Sequence, residues 1–575
     1  MCYKIFSILL GEPMKLIPFS ERYQNEFLSR DEGNFKILVD KLSKFHSKTI
    51  SDIGNGKTSR RKIDGRFCYE DELRHVKINQ EGISTEEVIV EFNDILRGCL
   101  RQHDPMAAFN IFPSPLFDAV AGVSLMTLYS PNALWDLLSG KVCLFEKKIL
   151  RLLGQLVDWP RADGYVVSGG KQAILYAIKC GLERAKSHSP MDVNDFVVLT
   201  SNVSHFCVEH VCHYLGIPAR NCLRIETLPS GEIDIHNLVD TLERAISKKM
   251  GIAAIIAVGG TTINLVPDPI LSIKRAIDQV VEKHGLNYAP FLHVDSVISW
   301  PWLAFDQVPA HTWQSRTNSK ISEKIDHVLS KLCAIRYADS FAADFHKTGF
   351  CPYAASVFVV KNARDLSGLT LDKSFPQVSI HFGEAEVYRQ TIENSRPSMA
   401  IASIWITLRR LGLEGLREFI LYQLEVGEVI KQKISERFSD HFEVLNDASK
   451  GWEIVFKPHF ESHVSWDLLQ TSSIDDQEKY SQLCHKFLSN LWYGDMDSEQ
   501  FSTPVIGFVK KYMRNGQNET ALPAFLIYPC SLHYDEAAID ELLDGIVKAK
   551  IAFESKQATS GESCDDFLQQ LVPPR

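Results

Sequence analysis

Three short stretches of this 575-residue chain carry side chains that could do chemistry. Asp344-Phe345-His346-Lys347 sets a primary amine beside an imidazole and near a carboxylate, just ahead of a glycine-containing turn and the apolar run Ala354–Val360. A lysine next to a histidine is ordinarily a solvated surface pair, so the tetrapeptide says little alone. Upstream, His293-Val294-Asp295 closes an apolar run of strand character. Asp295 therefore projects from a strand's C-terminal end, where open α/β sheets place their ligands; the plainer alternative is a cap on the following helix. Further upstream, Ser168-Gly169-Gly170-Lys171-Gln172 lies between a strand and a helix N-terminus, where backbone N–H groups and the helix dipole receive phosphate. An amine to form an imine, a carboxylate to face a ring nitrogen and a phosphate cradle are together what a phosphorylated pyridine aldehyde requires.

The elements that must position these residues follow from hydrophobic spacing. Short apolar runs at Tyr165–Val167, Phe196–Leu199, Ala253–Val258, Phe291–Val294 and Ala355–Val360 alternate with helical patterns such as Leu144–Leu156, Ala173–Leu182, Val208–Leu215, Leu271–Glu282 and Ile321–Leu332. Such alternation predicts an α/β fold with a mostly parallel sheet covered on both faces. Before it, Ser47–Arg66 reads as a loop, and Ser84 with Glu87 forms a capping box for a helix running to Leu100, stopped by His103, Asp104 and Pro105. After Met399 come helices at Ala400–Leu411 and Leu416–Phe438, then strands near Glu443–Leu445, Trp452–Lys457 and Ala524–Tyr528, a closing acidic helix from Asp535, and a frayed end from Gln557. The expected division is an N-terminal helical segment over 1–140 with dimer contacts, a large domain over 141–400 and a small C-terminal α+β domain over 401–575.

Composition narrows the class without choosing a function. Apolar residues at 45% and charged residues at 23% are those of a soluble globular protein. A net charge of -10 and the lack of a basic, aromatic-interleaved stripe argue against nucleic acid as a partner. The apolar run Ile5–Leu10 is ended by Gly11, Glu12, Pro13 and Lys15 before reaching membrane-spanning length, so a cytoplasmic protein off the membrane is expected. Thirteen cysteines without a C-x-x-C pair read as reduced thiols. His205, Cys207, His210, Cys212 and His213 crowd one helix, but they lack zinc-ligand spacing and no metal is expected.

With these motifs in this order, the stretch from Phe109 to Gly415 resembles the group II pyridoxal-phosphate (PLP)-dependent amino-acid decarboxylases of fold type I, the aspartate-aminotransferase-like fold. The resemblance implies PLP as cofactor, Lys347 as the imine lysine, Asp295 as the carboxylate facing the pyridinium and His205, in Ser204-His205-Phe206-Cys207, as the ring-stacking histidine. It implies cofactor contacts from Gly169, Gly170, Lys171, Asp344, His346 and Ser395, and from Thr262 in Gly260-Thr261-Thr262, with Asp268 at the expected offset. Ser395 and Arg396 match a segment that approaches the partner subunit's site, so a homodimer with shared sites follows from the resemblance.

Several positions depart from the family pattern. Val297 stands where a small alanine lies under the ring, Lys171 replaces a small hydroxyl residue, Leu265 stands at a position often held by glycine, and His210 at one that is commonly lysine. The stretch between Asp295 and Lys347 carries a polar helical insert, Gln314–Leu332, which resembles the bacterial tyrosine-decarboxylase branch. The interval that usually holds a loop tyrosine contains only Tyr353 and Tyr388. The expected activity is decarboxylation of an L-amino acid to its amine. An aromatic substrate is preferred from the branch resemblance and the segments Phe109–Phe112 and Tyr129–Trp135. The alternatives are oxidative deamination to an aldehyde or another PLP carbon–carbon lyase, and a family member without turnover that binds or regulates.

Overall fold

The computed structural model describes residues 27–29, 32–53, 68–78, 80–370, 387–460, 464–493, 503–514 and 520–560. The run Ile5–Leu10, the loop residues from 54 to 66 and the end beyond 560 lie outside them; Gln557–Ser560 close the helix Glu536–Ser560. The chain divides into two compact units, Met1–Leu100 with Met496–Phe501 and Arg101–Asp495 with Ser502–Arg575.

In the first unit the helix Phe35–Ile53 takes in Ser47–Ile53, in place of the loop that its Ser and Lys content predicts. Its amphipathic spacing, Phe35, Ile37, Leu38, Leu42 and Phe45, outweighs the serines and lysines that follow. The helix Thr85–Leu96 begins with the expected capping box, Ser84 receiving the Glu87 N–H while the Glu87 carboxylate receives that of Ser84. It stops at Leu96 rather than Leu100, because Arg97 leaves helical geometry and Gly98 is left-handed, φ 71°. Thr49 Oγ1 donates to Asn93 Oδ1 at 2.6 Å, a buried polar tie between the two helices.

The second unit opens with the two-residue strand β1, Ala107–Ala108. A seven-stranded sheet follows, built from β2 (Asp163–Val167), β3 (Phe196–Ser201), β4 (Cys222–Ile225), β5 (Gly251–Val258), β6 (Phe291–Asp295), β7 (Ser340–Asp344) and β8 (Ser356–Val360) in the order β2-β8-β7-β6-β5-β3-β4. The neighbours from β7 through β6, β5 and β3 to β4 are parallel; β8 runs against both β7 and β2. The central strand β5, GIAAIIAV, is buried at every residue, as a parallel strand covered on both faces must be. The helix Gly170–His188 packs across β5 to β8, and the helices Ile235–Ser247 and Ile270–His284 pack together.

A long helical rod, Met399–Arg437, leads out of this layer. The sequence break between Leu411 and Leu416 falls on Gly412, whose φ of 59° and ψ of -168° interrupt the helix in a conformation other residues resist. The C-terminal sheet is built from β9 (Phe442–Val444), β10 (Ile454–Pro458), β11 (Val505–Tyr512) and β12 (Leu522–Ile527), in the order β1-β11-β12-β10-β9. β11 and the helix Ile474–Tyr493 escaped the sequence reading. Gly507 and the Lys510-Lys511 pair disguise β11, and the acidic start of Ile474–Tyr493 disguises its apolar stripe. β1 pairs with β11, so residues assigned by sequence to the N-terminal segment complete the C-terminal sheet.

Candidate active site

Strands β3, β5, β6 and β7 all end on one edge of the parallel sheet, and their C-terminal loops converge on a cavity of about 530 Å³. Asp344 ends β7, and the one-turn helix Phe345–Thr348 carries Lys347 to the cavity wall. Phe345 stacks on Trp300 with ring centroids 4.4 Å apart, fixing the turn against the buried segment Trp300–Phe305. Lys347 Nζ lies 2.9 Å from Asp344 Oδ2, while Ser356 Oγ donates to Asp344 Oδ1 at 2.6 Å. Burial pulls the Lys347 ammonium down, but the Asp344 carboxylate outweighs it and the net position is above the usual lysine value. His346 stands behind the lysine, its Nδ1 2.9 Å from Ala355 O and its Nε2 3.6 Å from Asp344 Oδ2.

Asp295 ends β6, and its Oδ1 is buried with no hydrogen-bond partner among the described groups. Burial pushes this carboxyl up to about 6, with the Lys347 charge opposing the shift. A buried acceptor with no partner normally has an explanation. Here it lines the same cavity as Lys347, where a protonated ring nitrogen would complete it.

The helix Gly170–His188 starts on the cavity floor without a side-chain cap. A Cβ on Gly170 would stand 2.8 Å from Val297 Cγ1, so any side chain there would have to displace the valine. The uncapped N–H groups of the first turn are a ready anion site. Lys171 also lines the cavity, but its Nζ leans toward the helix Cys207–Tyr214, 3.5 Å from His210 Nδ1 and 5.2 Å from the centre of the Tyr214 ring. Lysine, unpartnered carboxylate and glycine-floored helix start therefore fit a phosphorylated pyridine aldehyde.

His205 enters from the loop after β3, immediately before the helix Cys207–Tyr214. Its Nδ1 accepts the Cys207 N–H at 3.1 Å, which leaves the hydrogen of the neutral ring on Nε2. Partial desolvation, then the charges of Lys347 and Arg224, hold this imidazole below its usual value. Arg224, on β4, anchors the loop by donating to Ser201 O at 2.8 Å and Ser204 O at 3.0 Å, while its guanidinium grips Glu209. No motif marks Arg224 or Glu209, because the contact joins an edge strand to a helix. Cys207 and Cys212 are buried and His210 and His213 exposed, so the crowded segment divides between two helix faces.

Of the residues singled out by sequence, Gly170, Lys171, His205, Cys207, Thr262, Asp295, Val297 and Lys347 line the cavity. Gly169 immediately precedes it, and Asp344 and His346 support Lys347 from behind. Asp268 stays off the wall, its buried carboxylate accepting the N–H groups of Ile233 and Val258 at 2.9 and 2.8 Å. Ser395 is exposed and outside its own chain's cavity. Its neighbour Arg396 is buried, donating to Glu146 Oε2 at 3.0 Å and Oε1 at 2.5 Å. A further wall was not foreseen: Thr227–Gly231 after β4, and Val509, Lys511, Tyr512, Met513 and Arg514 at the end of β11.

Comparison with known proteins agrees with this geometry. The pyridoxal-dependent decarboxylase conserved domain matches residues 318–458. A probable L-aspartate decarboxylase of Archaeoglobus fulgidus is 22% identical over 293 residues, covering 51% of this chain and 66% of that enzyme, just under two thirds of its length. The L-tyrosine/L-aspartate decarboxylase of Methanocaldococcus jannaschii is 22% identical over 419 residues, covering 71% of this chain and 88% of that one. The crystal structure of mouse CSAD in apo form superposes with a TM-score of 0.71 at 17% identity, covering 90% of this chain and 99% of that one, which establishes the fold. Domain match, curated relatives and fold converge: residues 318–458 carry a pyridoxal-dependent decarboxylase conserved domain, and the chain is similar to pyridoxal-phosphate-dependent amino-acid decarboxylases and shares their fold.

Proposed function

We propose that the protein removes the α-carboxylate of an L-amino acid as CO2 and releases the amine, with Lys347, Asp295 and His205 as its catalytic residues. The observation that carries the reading is the partnerless Asp295 Oδ1 buried in the cavity that Lys347 also lines. Lys347 would attach the cofactor, Asp295 would pair with its ring nitrogen, and Gly169, Gly170 and Lys171 would receive its phosphate, with Thr262, Asp344 and His346 as further contacts. Pyridoxal phosphate supplies an electron sink for the pair left on Cα when the carboxylate departs.

The chain's own part is orientation and electrostatics. Asp344, 2.9 Å from Lys347 Nζ, keeps the amine aimed and accepts a hydrogen bond from it. Neutral His205 offers Nε2–H as a hydrogen-bond donor to a substrate carboxylate, and the proton that Cα needs would come from a water beside it or from the imidazolium form of this ring, which returns to the neutral form on giving it up. Ser395, exposed on its own chain, is available to a neighbouring copy, which supports a homodimer with shared sites. No described helix is long and apolar enough to cross a membrane, and the described cysteines are free; the cytoplasmic location remains part of the proposal.

An aromatic substrate is the finer reading and agrees with the tyrosine activity in the name of the Methanocaldococcus enzyme. The segments Phe109–Phe112 and Tyr129–Trp135 that prompted it lie off the cavity wall. An acidic substrate is the second reading, favoured by Lys511 and Arg514 on that wall. Incubating protein and PLP with a pool of L-amino acids, beside Lys347→Ala, and measuring amine, aldehyde and CO2 by mass spectrometry tests the reading. An amine that vanishes in the variant supports it and names the substrate. Aldehyde with oxygen uptake replaces it by the oxidative route. Bound cofactor without Lys347-dependent product from any amino acid favours the binding or regulatory role.

A further inference from the structure

The loop after β5 folds over the cavity as a turn, Thr261–Leu265, that brings Thr262 and Asn264 to the wall. Two consecutive residues of this turn are left-handed without being glycine: Asn264 at φ 69° and Leu265 at φ 45°. Asparagine tolerates such a conformation better than most residues, but it is unfavourable for a bulky side chain such as leucine and persists where surrounding structure imposes it. Within the turn, Val266 N–H donates to Thr261 Oγ1 at 2.9 Å and Thr261 N–H to Val266 O at 3.2 Å. The Thr261 hydroxyl also donates to Ile263 O, so these bonds tie the turn up to Ile263, and the backbone groups of Asn264, at its left-handed tip, are held from elsewhere.

The holder is a fully buried carboxylate 189 positions later in the chain. Glu453, just ahead of β10, accepts the Asn264 N–H on Oε1 at 2.7 Å. The same oxygen accepts Ser449 Oγ at 2.5 Å and Asn446 Nδ2 at 3.3 Å, while Lys450 N–H donates to Asn264 O at 3.1 Å. The tip is thus gripped on both its N–H and its C=O by one segment of the C-terminal region. A buried carboxylate needs compensating charge nearby. Lys431, itself buried, donates to Asn446 O at 2.9 Å, one residue removed from Glu453. Leu265 is buried against this region, so leucine serves here as an anchor where glycine would leave the turn loose.

We propose that Glu453 is a positioning residue of the active site: its buried carboxylate holds the Asn264–Leu265 turn and so fixes where Thr262 stands in the cavity. The inference rests on the reading of this cavity as the cofactor site. Glu453 touches neither cofactor nor substrate, and its effect is relayed through the turn.

A double-mutant cycle on the full-length protein tests this, read as the apparent affinity for pyridoxal phosphate by fluorescence titration, with kcat and KM for whichever amino acid is turned over. Glu453→Gln keeps the shape but replaces charge-assisted hydrogen bonds by weaker neutral ones, and its expected effect is about tenfold weaker cofactor binding. Asn264→Gly lowers the left-handed penalty at the residue whose N–H Glu453 holds, so in that background Glu453→Gln should cost less than about threefold. Equal losses in both backgrounds, or no loss in the first, overturn the proposal, since a carboxylate that only stabilises the C-terminal sheet would not couple to Asn264. If Glu453→Gln gives no folded protein, Ser449→Ala, which removes one donor from the same oxygen, goes through the same cycle with a smaller effect of the same sign expected; the same two outcomes overturn it. A wild-type protein that binds no pyridoxal phosphate refutes the cofactor-site reading itself, a result distinct from a cycle without coupling.

Discussion

Gly170 and Val297 meet across the cavity floor so closely that a Cβ on the glycine would lie 2.8 Å from Val297 Cγ1. Valine is stiff at χ1 and cannot swing aside cheaply. Gly170→Ala should therefore cost about 1–3 kcal/mol of overpacking at the cofactor floor, seen as weakened PLP binding in a titration. Gly170→Ala/Val297→Ala should recover most of the loss. Full affinity in the single variant would show that the cofactor does not rest there.

Asp295 titrates near 6 in the fold against an ordinary value of 3.8. A folded-state value above the unfolded one means that the apo-protein holds a proton the unfolded chain releases, so its stability falls as pH rises from about 4 to about 6. The carboxylate that a ring nitrogen needs is present only above that window. PLP affinity should thus rise between pH 5 and pH 7 by up to about tenfold per unit below the pKa, and the part owed to Asp295 should disappear in Asp295→Asn. Parallel pH profiles for the two proteins would remove Asp295 from the ring nitrogen.

His205→Ala is expected to lower kcat by about 10²–10⁴-fold, the range for a positioned proton donor, while Lys347 still attaches the cofactor. Rapid-mixing kinetics on the cofactor-loaded variant checks it. A variant with unchanged kcat would leave the histidine a packing role alone.

Arg396 and Glu146 are both buried and face each other with two hydrogen bonds. Arg396→Ala strands the Glu146 carboxylate, and loss of one partner from such a pair costs about 3–5 kcal/mol. The denaturant midpoint should fall accordingly. Arg396→Ala/Glu146→Ala should be less damaged than the single variant.

The sheet and the chemistry along it were legible because they obey local rules. β5 is an unbroken apolar run, Asp295 and Asp344 sit at strand ends, and Gly170 opens a helix. What escaped is made of long-range contacts. Lys511 and Arg514 reach the cavity only because β11 pairs into a sheet whose register no local pattern encodes, and β11 itself carries an irregularity between Val509 and Tyr512. Arg224 reads as a charged residue on an edge strand until its carbonyl partners are seen. Leu265 was visible as a departure from the family pattern, but its left-handed backbone and its anchoring by a distant glutamate were not. Ser47–Ile53 shows the opposite case: its composition is that of a loop, but the apolar spacing upstream carries the helix through it.

The pairing of β1 with β11 joins Ala107 to Val505, about 400 residues later in the chain. During synthesis at roughly 5–20 residues per second, Ala107 waits on the order of 20–80 s for its partner strand. Lys347, Asp295 and the glycine floor all emerge in that interval, while the wall from Val509 to Arg514 emerges after it. The ribosome thus delivers the cavity's lysine and carboxylate first and the enclosure last, and a nascent chain cut short before β11 would bear Lys347 in a pocket open on one side.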